Sequence, residues 1–340
     1  MRTVKQKGDL GRMKLMATAR ANPNIALIKY WGNRDHILRI PANSSLSMNM
    51  GGLTTTTTVA FDDSSKDDVV VLDGVEQAGG AKARVVQMLD RVRAMADSDV
   101  RARVESRNDF PAGAGLASSA SGFAALAVAS AAAAGLSLDE AALSRLARTG
   151  SGSACRSVPG GYVEWQAGTD DASSYAYSIA PPDHWNLRDL IAIVDTALKD
   201  VGSTQGHRLA DSSPLHAGRV ASLPDRLARV KAAILERDFA ALAPVVEADA
   251  LAMHAVMMTS DPPLIYWQPA TLAILHAVRA WRAAGVPVCF TIDAGANVHC
   301  LCETSAAPEA QRRLESIPGV KEILTATPGG SARLVHNHLF

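Results

Sequence analysis

Pro111-Ala-Gly-Ala-Gly-Leu-Ala-Ser-Ser-Ala-Ser121 is a run of small residues that opens an Ala-rich helical stretch reaching about residue 134. Glycines let a backbone approach a ligand closely, and the free N–H groups of a helix start favour negative charge. Gly113 and Gly115 therefore stand where a phosphate would be cradled. The hydroxyls of Ser118, Ser119 and Ser121 could donate to its oxygens or reach a Mg²⁺ held between phosphates. No Gly-Lys-Ser/Thr follows, so this is not a Walker loop. The same run also reads as a helix N-cap whose small side chains allow tight packing, and on its own it fits both readings.

Working outward, residues 14–21 read as a strand leading into the Asn22-Pro23-Asn24 turn. Thr54 to Phe61 and Val69 to Leu72 read as the two strands of a hairpin around the polar stretch 62–68, the threonine run forming a solvated strand face. Val85, Val86, Leu89, Val92 and Met95 recur at helical spacing across 81–96, and 101–106 reads as a short strand. Downstream, Asp139 opens a helix with Leu143 and Leu146 on its apolar face, and 163–166 and 190–194 read as strands. Beyond about residue 200 the pattern is mainly helical, over 222–236, 239–258 and 269–284. Strand 286–292, turn 293–297, strand 298–302, helix 306–315 and strand 320–325 close the chain. The fold class expected is α+β, with a βαβ-like half behind an α+β half and no internal repeat.

Composition narrows the function. A chain of 340 residues is long for one compact core, so two domains are expected. Lys+Arg and Asp+Glu both number 34, which argues against a general nucleic-acid binder. A polyanionic ligand must then be met by a local cluster of donors, not by the overall field. Cys155, Cys289, Cys300 and Cys302 lack zinc-site spacing and read as buried thiols in a reducing, cytoplasmic compartment. Met1 to Met13 is polar and basic without an apolar centre, so no signal peptide is expected, and Met13 hints at a disordered or mis-assigned start. No stretch approaches the ~20 uninterrupted apolar residues of a membrane span.

Three more segments invite chemistry. In Asn24-Ile-Ala-Leu-Ile-Lys29-Tyr30-Trp31-Gly32 one lysine sits inside an apolar run, where it must reach a counter-charge, lose its proton, or snorkel from an element end. Pro41-Ala-Asn-Ser44-Ser45-Leu-Ser47 follows, polar and uncharged. Thr149-Gly-Ser151-Gly-Ser153-Ala-Cys155-Arg156-Ser157 could bring two hydroxyls and a planar guanidinium onto one small anion, or be a surface loop. Thr291-Ile-Asp293-Ala-Gly295-Ala-Asn297 joins two strands; Asp293 reads either as turn chemistry or as a base at a strand end.

Taken together these segments resemble the diphosphomevalonate decarboxylases of the GHMP kinase superfamily. Asn-Ile-Ala-x-x-Lys-Tyr-Trp-Gly, Asn-Ser-Ser-x-Ser, Gly-Leu-Ala-Ser-Ser-Ala, Arg-x-Gly-Ser-Gly-Ser-Ala-x-Arg-Ser and Asp-Ala-Gly-x-Asn recur in order across residues 17–326. The resemblance implies a two-lobed GHMP fold, with a ribosomal-protein-like α/β lobe over 14–188 and a ferredoxin-like lobe over 189–335. It implies ATP and Mg²⁺ as cofactors, a phosphorylated mevalonate as substrate, a homodimer, and neither nucleic-acid nor membrane partners. By the same likeness Asp293 is the base for the 3-hydroxyl, Lys29 orients it, and Arg156 binds the substrate carboxylate with Ser151 and Ser153. Tyr30, Asn33, Ser203, Thr204 and His207 would meet the substrate phosphate. Ser106, Gly113, Gly115, Leu116, Ala117, Ser118, Ser119 and Ser121 would meet the nucleotide, with Ser119 nearest the metal. The sequence departs from the family pattern at Asn33, where lysine is usual, at His207, where methionine is common, and at Ala296, where proline is frequent. Losing a cation beside a pyrophosphate removes several kcal/mol before screening, at roughly 4 Å and an effective dielectric near 20. The resemblance with this change points to 5-phosphomevalonate as substrate, with 5-diphosphomevalonate, or a kinase reaction without decarboxylation, as alternatives.

Overall fold

The structure is a computed structural model and describes residues 16–110, 118–197 and 201–340. The expectations for residues 1–13 and for Gly113, Gly115, Leu116 and Ala117 lie outside the described residues. The chain opens with β1 (Met16–Ala21) and β2 (Asn24–Ile28), then a small ribbon of β3 (Asn33–Asp35) and β4 (Ile40–Pro41). Next come β5 (Ser45–Gly51), β6 (Thr55–Asp62), β7 (Val69–Leu72), β8 (Val75–Glu76), α1 (Gly79–Ala96) and β9 (Arg101–Asn108). Then follow α2 (Ser118–Ala133), α3 (Glu140–Gly150), a 3₁₀ turn over Gly152–Ser157, β10 (Tyr162–Trp165), β11 (Ala176–Ala180) and β12 (Leu187–Ile193). The remainder holds α4 (Ser203–Leu209), α5 (His216–Glu236), α6 (Phe239–Met258), α7 (Pro269–Ala283), β13 (Val288–Thr291), β14 (Val298–Glu303), α8 (Ala307–Glu315), β15 (Glu322–Pro328) and β16 (Arg333–Val335).

The fold is two-lobed α+β. One sheet runs β16-β1-β6-β9-β7-β8, and α1, α2 and α3 cover it around a core of Val59, Phe61, Met88, Leu89, Phe123 and Leu146. α2 is almost entirely buried, and its alanines let β1 and β6 come close. The second sheet runs β11-β10-β5-β15-β12-β14-β13, with β2 beside β5. α5 and α6 pack on it through Leu223, Val230, Ile234, Leu242 and Val246. The sheet is shared between the lobes, because β15 pairs with β5 at Thr327↔Gly51. The chain then returns to the first lobe as β16 beside β1, and a division at residue 188 would fall within β12.

Two expectations need correction. β6 and β7 do not form a hairpin: β6 lies between β1 and β9, while β7 pairs with β9 in parallel and with β8. The threonine run is not a solvated face either, since Thr55, Thr57 and Thr58 are buried. Their hydroxyls are bonded to Ser121 (2.6 Å), Ser106 (2.8 Å) and Thr18 (2.7 Å), which removes the desolvation penalty of burying them. By length and composition α6 could cross a membrane, but Glu247 and Asp249 interrupt its apolar run. It is a core helix here, with Glu247 and Asp249 buried in ion pairs. The four cysteines are buried and free, as expected.

Candidate active site

Lys29 directly follows the fully buried β2, and its surroundings fix both its backbone and its ammonium. Its N–H donates to Asp249 Oδ2 at 2.6 Å, and its carbonyl accepts from Asn43 at 3.0 Å and Arg219 at 2.9 Å. Asp249, from α6, is itself neutralised by Arg219 and Arg226. The ammonium in turn donates from Nζ to Asp293 Oδ1 at 2.6 Å. Asp293 sits in the turn between β13 and β14, its carbonyl oxygen 3.2 Å from His254 Nε2.

Burial pushes the Lys29 ammonium below its ordinary pKa, partly offset by Asp293. Burial pushes the Asp293 carboxyl up, but Lys29, then His299 and Arg156, outweigh it and hold the group below the usual carboxylate range. The pair is therefore ammonium–carboxylate, and the Asp293 side chain keeps 30% exposure while Lys29 keeps 1%. A carboxylate open on one side and anchored on the other can take a proton from a hydroxyl placed before it.

Arg156 faces this pair from the 3₁₀ turn. Nη1 donates to Ser45 at 2.7 Å and Nε to Asn24 Oδ1 at 3.3 Å. Asn24 in turn donates to Ser157 Oγ and the Ser153 carbonyl, so the motifs around residues 24, 45 and 156 form one network. With Nε and one Nη1 hydrogen engaged, Nη2 and the second Nη1 hydrogen remain for a carboxylate. Ser119 Oγ lies 3.3 Å from Ser151 Oγ, joining the start of α2 to the same turn. α2 has no acidic residue in its first turn, so its N–H groups and dipole favour an anion.

Tyr30 stacks on His207 at 4.1 Å between ring centroids and meets Trp165 edge-on at 4.7 Å. His207 Nδ1 accepts from the Gly32 N–H at 3.0 Å. Burial, then Arg39, depresses the His207 pKa to about 3, so the ring is neutral with its proton on Nε2. His254 is likewise held at about 3, by burial and then by Lys29.

All of this opens onto a cleft of about 1120 Å³. Lys29, Tyr30, Arg156, His207 and Asp293 line it, as do Ser118, Ser119, Ser151, Ser153, Ser203 and Thr204. Three predicted site residues lie elsewhere. Ser106 is bonded to Thr57 inside the first sheet, and Ser121 is fully buried against Thr55. Neither lines the cleft. Asn33 accepts from the Tyr30 hydroxyl at 2.5 Å and lines an adjoining cavity of about 550 Å³. The reading of the sequence missed Arg39, Arg84 and Arg208, which bring the charge of the cleft to five cations, with Lys29 and Arg156, against Asp293 as the one carboxylate among its described lining residues. The neutral chain thus concentrates positive charge where the motifs converge.

Family models match both halves. A diphosphomevalonate decarboxylase-like N-terminal domain covers residues 21–176, and a mevalonate 5-diphosphate decarboxylase C-terminal domain covers residues 189–331. The chain belongs to the diphosphomevalonate decarboxylase family. Diphosphomevalonate decarboxylase mvd1 of Aspergillus fumigatus is 40% identical over 307 residues, 83% of this chain and 75% of that one. Phosphomevalonate decarboxylase of Haloferax volcanii is 38% identical over 286 residues, 84% of this chain and 87% of that one. Among solved structures, MDDEF in complex with MVAPP, AMPPCP and magnesium superposes with a TM-score of 0.89 at 40% identity, over 95% of this chain and 99% of the other.

Proposed function

We propose that this member of the family converts 5-phosphomevalonate, with ATP and Mg²⁺, to isopentenyl phosphate, ADP, phosphate and CO₂. The observation carrying the chemistry is the Lys29–Asp293 pair, with Arg156, on a cleft that also presents three further arginines and several hydroxyls. Asp293 takes the proton of the tertiary 3-hydroxyl, and Lys29 holds the developing charge. The hydroxyl oxygen acquires the γ-phosphoryl group of ATP, steadied by Ser118, Ser119 and the start of α2. The carbon–oxygen bond then breaks, phosphate leaves, and the electrons of the bond to the carboxylate carbon form the new double bond as CO₂ departs. Arg156, with Ser151 and Ser153, keeps that bond aligned, so orientation and charge carry most of the catalysis.

The site fits a magnesium nucleotide. Among the described residues no cluster of three His, Cys, Asp or Glu side chains could cage a metal. Mg²⁺ at phosphoryl-transfer sites is held largely by the nucleotide's own phosphates, with few protein ligands. Bound there, it would neutralise phosphate charge, and the Ser119 hydroxyl at the head of α2 is the ligand this chain offers.

Asn33 supports the monophosphate. Its side chain is tied to Tyr30 and turned to the adjoining cavity, and His207 nearby is neutral, so neither supplies the cation a second phosphate calls for. The name of the Haloferax volcanii relative agrees. A second reading, 5-diphosphomevalonate to isopentenyl diphosphate, is favoured by both family models and by the Aspergillus fumigatus relative. Parallel assays of both substrates, following ADP and CO₂, test the proposal. Equal ADP and CO₂ with a higher kcat/KM for the monophosphate supports it. Higher kcat/KM for the diphosphate supports the second reading, and ADP without CO₂ makes the protein a kinase.

A further inference from the structure

Arg39 lies at the end of the turn between β3 and β4, in a left-handed conformation with φ 53°. Its Nε donates to the Thr149 carbonyl at 3.0 Å, which fixes the plane of the guanidinium, and among the described residues its Nη atoms have no hydrogen-bond partner. Among the described residues no carboxylate forms an ion pair with it. It lines the main cleft and the adjoining cavity alike, and shares that wall with Thr204 and Arg208. The one carboxylate on the adjoining cavity, Asp90, is taken by Arg93 at 2.6 Å.

Arg39 is close enough to Tyr30, His207, Arg84 and Arg208 to act on their charges or have its own altered by them. Burial, and after Tyr30's opposing effect the Arg208 charge, pull the Arg39 pKa down, as expected for a guanidinium partly desolvated beside another. Like charges gathered in low dielectric without a counter-charge repel one another, and an anion between them relieves the repulsion. Asn33 belongs to the same ribbon as Arg39, so one short element both lacks the cation usual at its first position and presents another at its far end.

We propose that Arg39, with Arg208 beside it, binds the phosphate end of the substrate. This deepens the reading of the site as one for a 5-phosphorylated mevalonate and rests on it. A phosphomonoester carries close to two negative charges at neutral pH. Two guanidiniums match that charge. Arg39 acts on the charges of Tyr30 and His207, the residues assigned to the substrate phosphate, so its role falls at the non-reacting end and in binding.

The test is steady-state kinetics of Arg39→Gln and Arg39→Lys with 5-phosphomevalonate, 5-diphosphomevalonate and ATP each varied in turn. Glutamine keeps a donor for the Thr149 carbonyl while removing the charge. For the preferred mevalonate phosphate, Arg39→Gln is expected to raise KM about tenfold or more, with kcat within about twofold and KM for ATP unchanged. Arg39→Lys is expected to recover part of the loss. An unchanged KM for both mevalonate phosphates, or a rise confined to ATP, overturns the proposal. Arg208→Gln on the exposed side of the pair gives a second reading of the same kind, with a smaller expected rise. The wild-type preference separates the two ideas: a wild type favouring the diphosphate sinks the monophosphate reading and leaves Arg39 as the phosphate ligand.

Discussion

Lys29 Nζ and Asp293 Oδ1 lie 2.6 Å apart across a sequence separation of 264 residues. Neither is placed by its own element alone. Asp249 and Asn43 hold the backbone of Lys29, while the tie from Thr291 Oγ1 to the Ala26 carbonyl and His254 hold the end of β13 and the turn that carries Asp293. The pair is the point at which the two lobes of the fold become one site.

Asp293→Asn removes the proton acceptor and leaves a buried ammonium without its counter-charge. A kcat lower by about 10²- to 10⁴-fold is expected, with KM for ATP little changed, from coupled ADP release. A kcat within tenfold of wild type would mean that another group accepts the proton.

Arg156→Lys keeps the charge but cannot span Ser45 and Asn24 while presenting a fork to the carboxylate. Its kcat/KM for the mevalonate phosphate is expected to fall about ten- to a hundredfold. ATP binding, measured by titration calorimetry with a non-hydrolysable analogue, should be unaltered.

Gly152→Ala would place a Cβ 2.5 Å from Tyr30 Cε1 and 2.6 Å from its hydroxyl. Tyr30 is held between His207 and Trp165, so it has no free direction in which to yield. Loss of about 1–3 kcal/mol in urea unfolding is expected from the overpacking, together with a raised KM for the mevalonate phosphate. Adding Tyr30→Ala should return stability toward that of Tyr30→Ala alone.

His207 and His254 make stability depend on pH in a defined direction. Both have folded pKa values near 3, while an unfolded histidine titrates near 6.5. Between those values the unfolded chain holds more protons, so stability is complete above about pH 6.5 and falls as the pH drops toward 3. Each residue contributes a slope of up to about 1.4 kcal/mol per pH unit in that window. Unfolding free energies at pH 7 and pH 5 measure it, and His254→Gln should lessen the difference; an unchanged difference would show that His254 is not the group.

Local chemistry was legible in the sequence, and long-range pairing was not. Asp139 announces α3 by itself, and its side chain accepts from the Ala142 N–H at 2.7 Å as an N-cap should. Val69 to Leu72 is plainly a strand, but only the folded chain shows that it pairs in parallel with β9, because alternation records faces and not neighbours. The threonines of β6 look solvated since a hydroxyl gives no sign of whether water or a buried partner will receive it. Lys29 and Asp293 each had a plain structural reading, and family motifs in order were needed to bring them together. Arg39, Arg84 and Arg208 carried no signal at all: single arginines in polar surroundings are common, and their meaning lies in converging from β3–β4, α1 and α4 on one wall.

Internal competition tests the central claim most directly. Wild-type protein is given 5-phosphomevalonate and 5-diphosphomevalonate together with limiting ATP and Mg²⁺, and the isopentenyl phosphate and isopentenyl diphosphate formed are counted beside CO₂. Their ratio is the ratio of kcat/KM at equal substrate concentrations, free of differences between preparations. The account predicts one CO₂ per ADP and isopentenyl phosphate as the main product. Isopentenyl diphosphate as the main product, or ADP formed without CO₂, would contradict it.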